Sequence, residues 1–377
     1  MIASIMQRRT LLAGTLAGAF APQFASAQSR DDRIYVYGDG IPHTPAEYSG
    51  LLGRITGGAE QAPMDSFSCG GVVEQLEQRM AALLGKQVAV WLPTGTMANH
   101  LAVRALAGSK RRVLVQAESH VYNDTGDCAQ TLSGLTLIPL AAGKATFTLD
   151  DVETAAAVAR SGRVAAPIGA IQIESPVRRR SGERFDFSEM TRVAAWAKQQ
   201  GIGLHLDGAR IFIESVYTGR PVKEYSALFD TVYVSMYKYF NAGSGAILAG
   251  PKALLGELYH ARRMFGGSLF QAWPFAAVAL HYLDGFEASM RAARGTAEEV
   301  LAGLSKDSNF TLTRIDNGTN VFQFEVHGVN PPVYRDRLEQ AGIVAAPPGK
   351  VFLMTVNSTW TRLPAREILA RFQKAMG

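Results

Sequence analysis

Cysteine is almost missing from this chain of 377 residues, which has only Cys69 and Cys128. Two thiols cannot make a disulfide framework, so a small stapled scaffold is excluded. An oxidising compartment would permit one bond between them, but two free thiols are the simpler expectation. No spacing of Cys and His suits a metal, and there is no G-x-G-x-x-G or Walker-type phosphate loop, which argues against an ordinary nucleotide-binding protein. Charge is sparse and scattered, with 19% charged residues and a net charge of +5. The one short run, Arg178-Arg179-Arg180, reads as a solvated loop and not as a nucleic-acid patch. Internal repeats and low-complexity tracts are absent, and no apolar stretch is long enough to span a membrane.

The chain does have a distinctive beginning. Arg8-Arg9 stands directly before an apolar run from Leu11 to Phe20, and Ala25-Ser26-Ala27 places small residues at cleavage-site spacing. The run is too short to cross about 30 Å of hydrocarbon. Residues 1–27 therefore read as an export signal of the twin-arginine type. The expected mature protein is periplasmic, free of the membrane, and carries a net charge of about +3.

At 47% hydrophobic, the remaining length is enough for one large and one small domain with a sizeable core. Residues 28–65 are rich in Gly, Pro and short polar residues, and read as an extended N-terminal arm with a helix or two. From Val72 the pattern becomes regular. Val72, Val73, Leu76, Met80 and Leu83-Leu84 recur at helical spacing up to Gly85. Val88–Leu92 is a short apolar run broken by Pro93-Thr94-Gly95, and a second helical pattern follows through Leu101, Val103 and Leu106. Strand-like runs recur at 112–116, 135–140, 168–173, 203–206, 231–235 and 245–249, with helical stretches such as Met190 to Gln200 between several of them. Short apolar strands alternating with helices predict an α/β fold whose mostly parallel sheet is covered on both faces. Past Leu283 the signals change to a helix over 288–304, strands at 310–314 and 321–326, and a last helix from Ala365. The expected division is a large domain over 66–285 and a small C-terminal α+β domain over 286–377.

Ligands of an open parallel sheet bind at the carboxyl ends of its strands, and three polar clusters fall there. Gly203-Leu204-His205-Leu206-Asp207-Gly208-Ala209-Arg210 carries a strand into an acid, a glycine and an arginine. The strand over 231–235 leads through Met236-Tyr237 to Lys238. Leu92-Pro93-Thr94-Gly95-Thr96 is a strand-to-helix turn whose N–H groups suit a phosphate at a helix N-terminus. Each is ordinary alone: such an Asp is usually a cap, such a Lys usually exposed. Together they supply a Schiff-base lysine, an acid that keeps a pyridine nitrogen protonated, and a phosphate cradle, which are the needs of pyridoxal 5'-phosphate.

Several segments, read together, resemble the threonine aldolase and aromatic amino acid β-eliminating lyase family of fold-type I pyridoxal-phosphate enzymes. They are Pro93-Thr94-Gly95-Thr96-Met97-Ala98-Asn99, Glu118-Ser119-His120-Val121-Tyr122, His205 to Arg210, Lys238, and Arg262-Arg263-Met264-Phe265-Gly266-Gly267 ending in Gln271. The resemblance runs from about residue 36 to the end and is dense between 65 and 275. It implies a transferase-like fold with a large cofactor-binding domain. It also implies that Lys238 forms the Schiff base, that Asp207 pairs with the pyridine nitrogen, and that His120 stacks on the ring and acts as a base or positions one. Gly95 and Thr96 would bind the phosphate, with Ser235 a further candidate on spacing. Arg210 would take the substrate α-carboxylate through its planar fork. Arg262 or Arg263 would reach the phosphate of a neighbouring subunit in a homodimer or homotetramer with shared sites. His205 is as well explained by structure as by the site. Export of folded protein fits such an enzyme, because the cofactor can be loaded beforehand.

The chain departs from the family where the substrate would be held. Gly38 precedes Asp39 where the family carries a serine before the aspartate, and Phe352 stands where a C-terminal strand would carry an arginine. Phe270 replaces the arginine before the glutamine, and Phe67-Ser68-Cys69 replaces a tyrosine-glycine-acid stretch. A hydrogen bond to a charged group contributes about 1.5–3 kcal/mol, so these losses should weaken an α-carboxylate site. Arg54, Arg178 and Arg184 are candidates to compensate. The expected activity is a lyase that cleaves the Cα–Cβ bond of a β-hydroxy-α-amino acid to glycine and an aldehyde. The alternatives are β-elimination, racemisation or transamination on the same fold, and a non-catalytic exported binding protein. Retention of Lys238, Asp207, His120 and Arg210 together argues against the last.

Overall fold

Apolar runs with no polar face become strands buried on both sides, and they build the centre of this chain. The computed structural model describes residues 32–57 and 63–377; the expected export signal lies outside the described residues. In chain order the strands are β1 (Ile34–Tyr35), β2 (Val88–Leu92), β3 (Arg112–Gln116), β4 (Thr136–Leu140), β5 (Ile168–Glu174), β6 (Gly203–Asp207), β7 (Thr231–Ser235) and β8 (Ala246–Gly250). They continue with β9 (Phe310–Arg314), β10 (Val321–Val326), β11 (Ile343–Val344) and β12 (Phe352–Thr355). All residues of β5, β7 and β8 are buried.

The central sheet has seven strands in the order β2-β8-β7-β6-β5-β3-β4. Pairing is parallel from β4 through β3, β5 and β6 to β7, whereas β8 runs antiparallel to both β7 and β2. The reversal follows from the short connection between Ser235 and Ala246, which carries no helix. A parallel return needs a longer crossover. Because β8 is flanked by two antiparallel partners, β2 points the same way as β7. The carboxyl ends of β2, β3, β5, β6 and β7 therefore share one edge. In the register Glu174 lies opposite Asp207, so two acids end adjacent strands.

The helix Gly95–Ala107 packs on β5, β6, β7 and β8 and starts immediately beyond β2. Its N-cap is Thr94, whose hydroxyl accepts from Met97 N. This uses one of the four N–H groups that no turn of helix can satisfy. The helix Phe187–Gln200 is capped in the same way by Asp186 and ends on Gly201 at φ 60°.

The C-terminal strands form a separate antiparallel sheet, β12-β10-β9, packed with the helices Phe286–Leu304 and Ala365–Lys374. Its core is aromatic: Phe310, Phe324, Tyr334, Phe352, Trp360 and Phe372 are all buried. Phe352, at the position where an arginine was expected, is 2% exposed, with its ring centroid 6.0 Å from that of Phe324. An arginine there would enter this core, so the position does not face the edge of the large sheet. Its neighbour Leu353 is exposed.

The arm is the remaining element. Its described part contains the helix Pro45–Thr56, opened by a capping box between Thr44 and Glu47. Ahead of it β1 pairs in parallel with β11. Val36 O accepts from Thr355 N at 2.8 Å. The buried Asn357 amide donates to Tyr35 O and Gly38 O, each at 3.0 Å. The arm is thus fastened through its carbonyls to the far end of the chain. Asn357→Ala, which leaves those carbonyls short of donors, is expected to lower stability by about 1–3 kcal/mol, measurable as a reduced urea midpoint.

Candidate active site

Lys238 follows β7 by three residues and is half-buried. Its Nζ lies 4.8 Å from the centroid of the Tyr237 ring and 5.9 Å from that of Tyr233. Burial lowers its pKa, and so does the Arg210 charge; Tyr237, Asp207 and Asp39 oppose that shift. The amine is thereby moved toward its unprotonated, nucleophilic form.

Asp207 ends β6 at 1% exposure. Oδ2 accepts from Asn99 Nδ2 at 2.6 Å and Oδ1 from Ala209 N at 3.2 Å. Asn99 must turn its NH2 to that carboxylate, so its Oδ1 faces His205 Nε2, 2.9 Å away. His205 therefore carries its proton on Nε2, and Nδ1 accepts from the Thr231 hydroxyl at 2.8 Å. Burial pushes the His205 pKa down to about 3, which keeps the ring neutral. This resolves the open reading of His205: it is two steps behind the acid, orienting the amide that holds it.

The start of the Gly95–Ala107 helix is shaped by Tyr233. A β-carbon on residue 95 would stand 2.0 Å from the Tyr233 hydroxyl oxygen, so only glycine fits. The leading N–H groups of Gly95 and Thr96 form a cradle for an anion. Ser235, at the end of β7, has a buried hydroxyl that neighbours the Tyr233 hydroxyl but makes no well-formed hydrogen bond among the described residues.

His120 follows β3. Its backbone N–H donates to Glu174 Oε2 at 2.5 Å, and Glu174 Oε1 accepts from Arg178 N at 2.9 Å. One buried carboxylate thus grips two loops. Burial raises the Glu174 pKa to about 7; the neighbouring Asp207 charge adds to this, while the two backbone donors and Arg210 oppose it. On the imidazole itself, Nδ1 lies 3.5 Å from Asp124 Oδ2. Partial burial works to raise the Asp124 pKa, but Arg178, His120 and Arg179 outweigh it and hold the carboxyl below its usual range. The triple-arginine run is therefore more than a solvated loop. Arg178 and Arg179 turn back onto Asp124, and Arg179 also faces Glu118, on either side of His120.

Arg210 donates through Nε to Asp39 Oδ2 of the arm at 2.7 Å. The two other arginines separate. Arg262 is buried, with Nη1 donating to Trp91 O at 2.8 Å and Nη2 to Phe67 O and Cys69 Sγ. Both of its Nη groups are engaged inside its own chain, so it does not face outward toward a neighbouring subunit. Arg263 is exposed, 5.2 Å above the Phe67 ring.

Lys238, Asp207, Gly95, Thr96, Ser235, His120 and Arg210 thus all belong to one edge of the sheet. Sequence reasoning missed Glu174, Asp124 and the use of Asn99 in holding Asp207. The available signal for Glu174 was an acid closing a mostly apolar, buried strand, the same signature that marked Asp207. Chemically, the edge offers an amine of lowered pKa, a buried acid, a helix N-terminus whose first N–H groups suit an anion, and an arginine paired with Asp39. No cluster of metal-binding side chains exists among the described residues. A cavity of about 390 Å³ opens beside Lys238, lined by Tyr37, Asp39, His43, Tyr48 and Tyr237 among others.

Residues 63–326 match the family described as beta-eliminating lyase. A low-specificity L-threonine aldolase of Saccharomyces cerevisiae is 28% identical over 55% of this chain and 53% of its own length. An alanine racemase of Cochliobolus carbonum is 31% identical over 54% of this chain and 52% of its own length. The chain therefore spans about half the length of these relatives. A Listeria monocytogenes protein assigned as an L-allo-threonine aldolase has a solved structure that aligns with a TM-score of 0.74 at 26% identity. That alignment covers 92% of this chain and 97% of the other.

Behind the site, buried Glu214 accepts from Ser175 Oγ at 2.6 Å, and burial pushes its pKa from 4.5 up to about 7. Between those two values the folded chain holds a proton that the unfolded chain has lost. The contribution of Glu214 to stability therefore falls as pH rises through that window. Glu214→Gln keeps an acceptor for Ser175 but does not titrate. Its stability relative to the parent should rise by about 1–3 kcal/mol between pH 4.5 and pH 8, read from paired urea titrations.

Proposed function

The chain belongs to the beta-eliminating lyase family, and from that premise we propose that it is a pyridoxal-phosphate-dependent lyase of the threonine aldolase kind. It would cleave the Cα–Cβ bond of a β-hydroxy-α-amino acid to give glycine and an aldehyde. The observation that carries this reading is the pairing of an amine of lowered pKa, Lys238, with a buried carboxylate held by two N–H donors, Asp207, on one sheet edge. The buried Ser235 hydroxyl and the Gly95 turn, where no side chain fits, suit the phosphate of this cofactor.

Bound there, pyridoxal phosphate supplies an electron sink for the pair released at Cα. Lys238 would hold it covalently through Nζ. Asp207, held in place by Asn99 and Ala209 N, would keep a proton on the ring nitrogen. The Gly95 and Thr96 N–H groups and the Ser235 hydroxyl would bind the phosphate. Arg210 would hold the substrate α-carboxylate. His120, with Nδ1 turned to Asp124, leaves Nε2 to take the proton of the β-hydroxyl as the Cα–Cβ bond breaks.

A second reading, racemisation of an amino acid, is favoured by the alanine racemase relative and by the loss of expected carboxylate contacts at Gly38 and Phe352. For the assembly we propose a homo-oligomer, dimer or tetramer, with shared sites. Exposed Arg263 lies over exposed Phe67, which packs edge to face on exposed Phe270, and it is the arginine of the two that faces outward to reach a second copy. We also propose twin-arginine export to the periplasm, supported by Arg8-Arg9 and the apolar run behind them. Replacing both arginines by lysine should retain the protein in the cytoplasmic fraction.

The loaded protein should absorb near the visible edge and release glycine from an isomer of threonine or phenylserine, with both signals lost in Lys238→Ala. A colourless wild type in excess cofactor would refute the cofactor reading. Colour without glycine, together with loss of optical activity from alanine, would favour racemisation.

A further inference from the structure

Arg210 is held from one side by a residue that the arm delivers across 171 positions of sequence. The ion pair with Asp39 is largely buried, the side chains being 19% and 9% exposed. It uses only the Nε edge. A guanidinium has five N–H donors, and the Nη groups of Arg210 make no hydrogen bond among the described residues. Asp39 is itself rigidly placed. Gly38 O is held by Asn357, and Ile41 N donates to Asn241 Oδ1 at 2.7 Å. Gly40 lies so close to the turn after Lys238 that a β-carbon would stand 2.4 Å from the Lys238 carbonyl oxygen. Both neighbours of Asp39 are thus held against the Lys238 turn or the C-terminal segment, which fixes the backbone from which its carboxylate reaches the arginine.

We propose that Asp39 is the positioning residue for substrate recognition: it fixes the Nε edge of Arg210, so that the Nη fork is presented to a single substrate carboxylate. The inference rests on the reading that Arg210 receives the α-carboxylate. With Gly38 lacking a hydroxyl and Phe352 buried in the small sheet, Asp39 and Arg210 carry the discrimination between an amino acid and a plain amine. A loosened guanidinium would still carry its charge but would lose the aligned fork, so carboxylate binding weakens while amine binding does not.

The test compares glycine with methylamine, which is glycine without its carboxylate, as ligands of the pyridoxal-phosphate-loaded wild type, Asp39→Ala, Asp39→Asn and Arg210→Gln. Dissociation constants are read from the change in cofactor absorbance. Asp39→Ala should weaken glycine about 10- to 100-fold and leave methylamine unchanged. Asp39→Asn, which keeps an acceptor for Nε, should fall between it and wild type and serves if the alanine variant fails to load. Arg210→Gln should weaken glycine at least as much as Asp39→Ala. If Arg210→Gln weakens glycine but both Asp39 variants bind it as well as or better than wild type, Asp39 does not position the fork and the proposal is overturned. Equal losses for glycine and methylamine in the Asp39 variants would show general damage and overturn it too. If Arg210→Gln leaves glycine unaffected, the carboxylate reading of Arg210 fails and the proposal falls with it.

Discussion

A carboxyl group with almost no solvent contact needs donors that replace the lost water. Asp207 finds them in Asn99 and Ala209 N, and much of the site is arranged around that need. Asn99 lies one turn into the helix whose first residues are Gly95 and Thr96. One rigid element therefore sets the spacing between an anion cradle and a buried acid. His205 and Thr231 complete the chain of hydrogen bonds, tying the helix to β6 and β7. A neutral His205 is what this arrangement requires, because a second proton on the ring would displace the Thr231 hydroxyl from its donor role.

The two halves of the site are built by different means. Lys238, Asp207, Ser235, Gly95 and Thr96 sit at or just beyond the ends of buried strands, where packing on both faces fixes the backbone. The substrate side is assembled from the arm, whose position comes from Asn357 and β11. Of the departures from the family pattern, Gly38 falls on the arm, whereas Phe352 lies in the core of the small sheet and Phe67 and Phe270 pack edge to face on each other. The cofactor-binding residues cannot move without disturbing the sheet, whereas the arm can change sequence while its carbonyls remain tethered.

The strands from β2 to β8 were legible from short, mostly apolar runs to within a residue or so at either end, β9 and β10 from runs with one buried face, and the main helices from their apolar spacing. The antiparallel direction of β8 was not. A run such as 245–249 has the composition of a buried strand whichever way it points, and only the short connection from β7 reveals the turn. The two-residue strands β1 and β11 left no periodic signal at all. In the site, Lys238 and Asp207 stood out because each ends an apolar run with a charge. Glu174 carries the same mark and was passed over for want of a motif. Asp39 was legible only as the neighbour of an altered residue, since pairing across 171 positions leaves no local trace. Arg262 and Arg263 are adjacent and chemically identical, and only the fold distinguishes the one locked onto Trp91 O from the one facing outward.

Fastening the arm by Asn357 has a consequence for the order of events during synthesis. A ribosome that has released the chain through Gly250 has supplied every strand of the large sheet, together with Lys238, Asp207 and the anion cradle. Residues 34–38 are made earlier still, yet the backbone partners that hold them emerge only with residues 342–359. Every residue of the sheet edge can thus be made before the segment that clasps the arm. A chain truncated before Asn357 would keep the residues for capturing a cofactor and lack the clasp that brings Asp39 to Arg210.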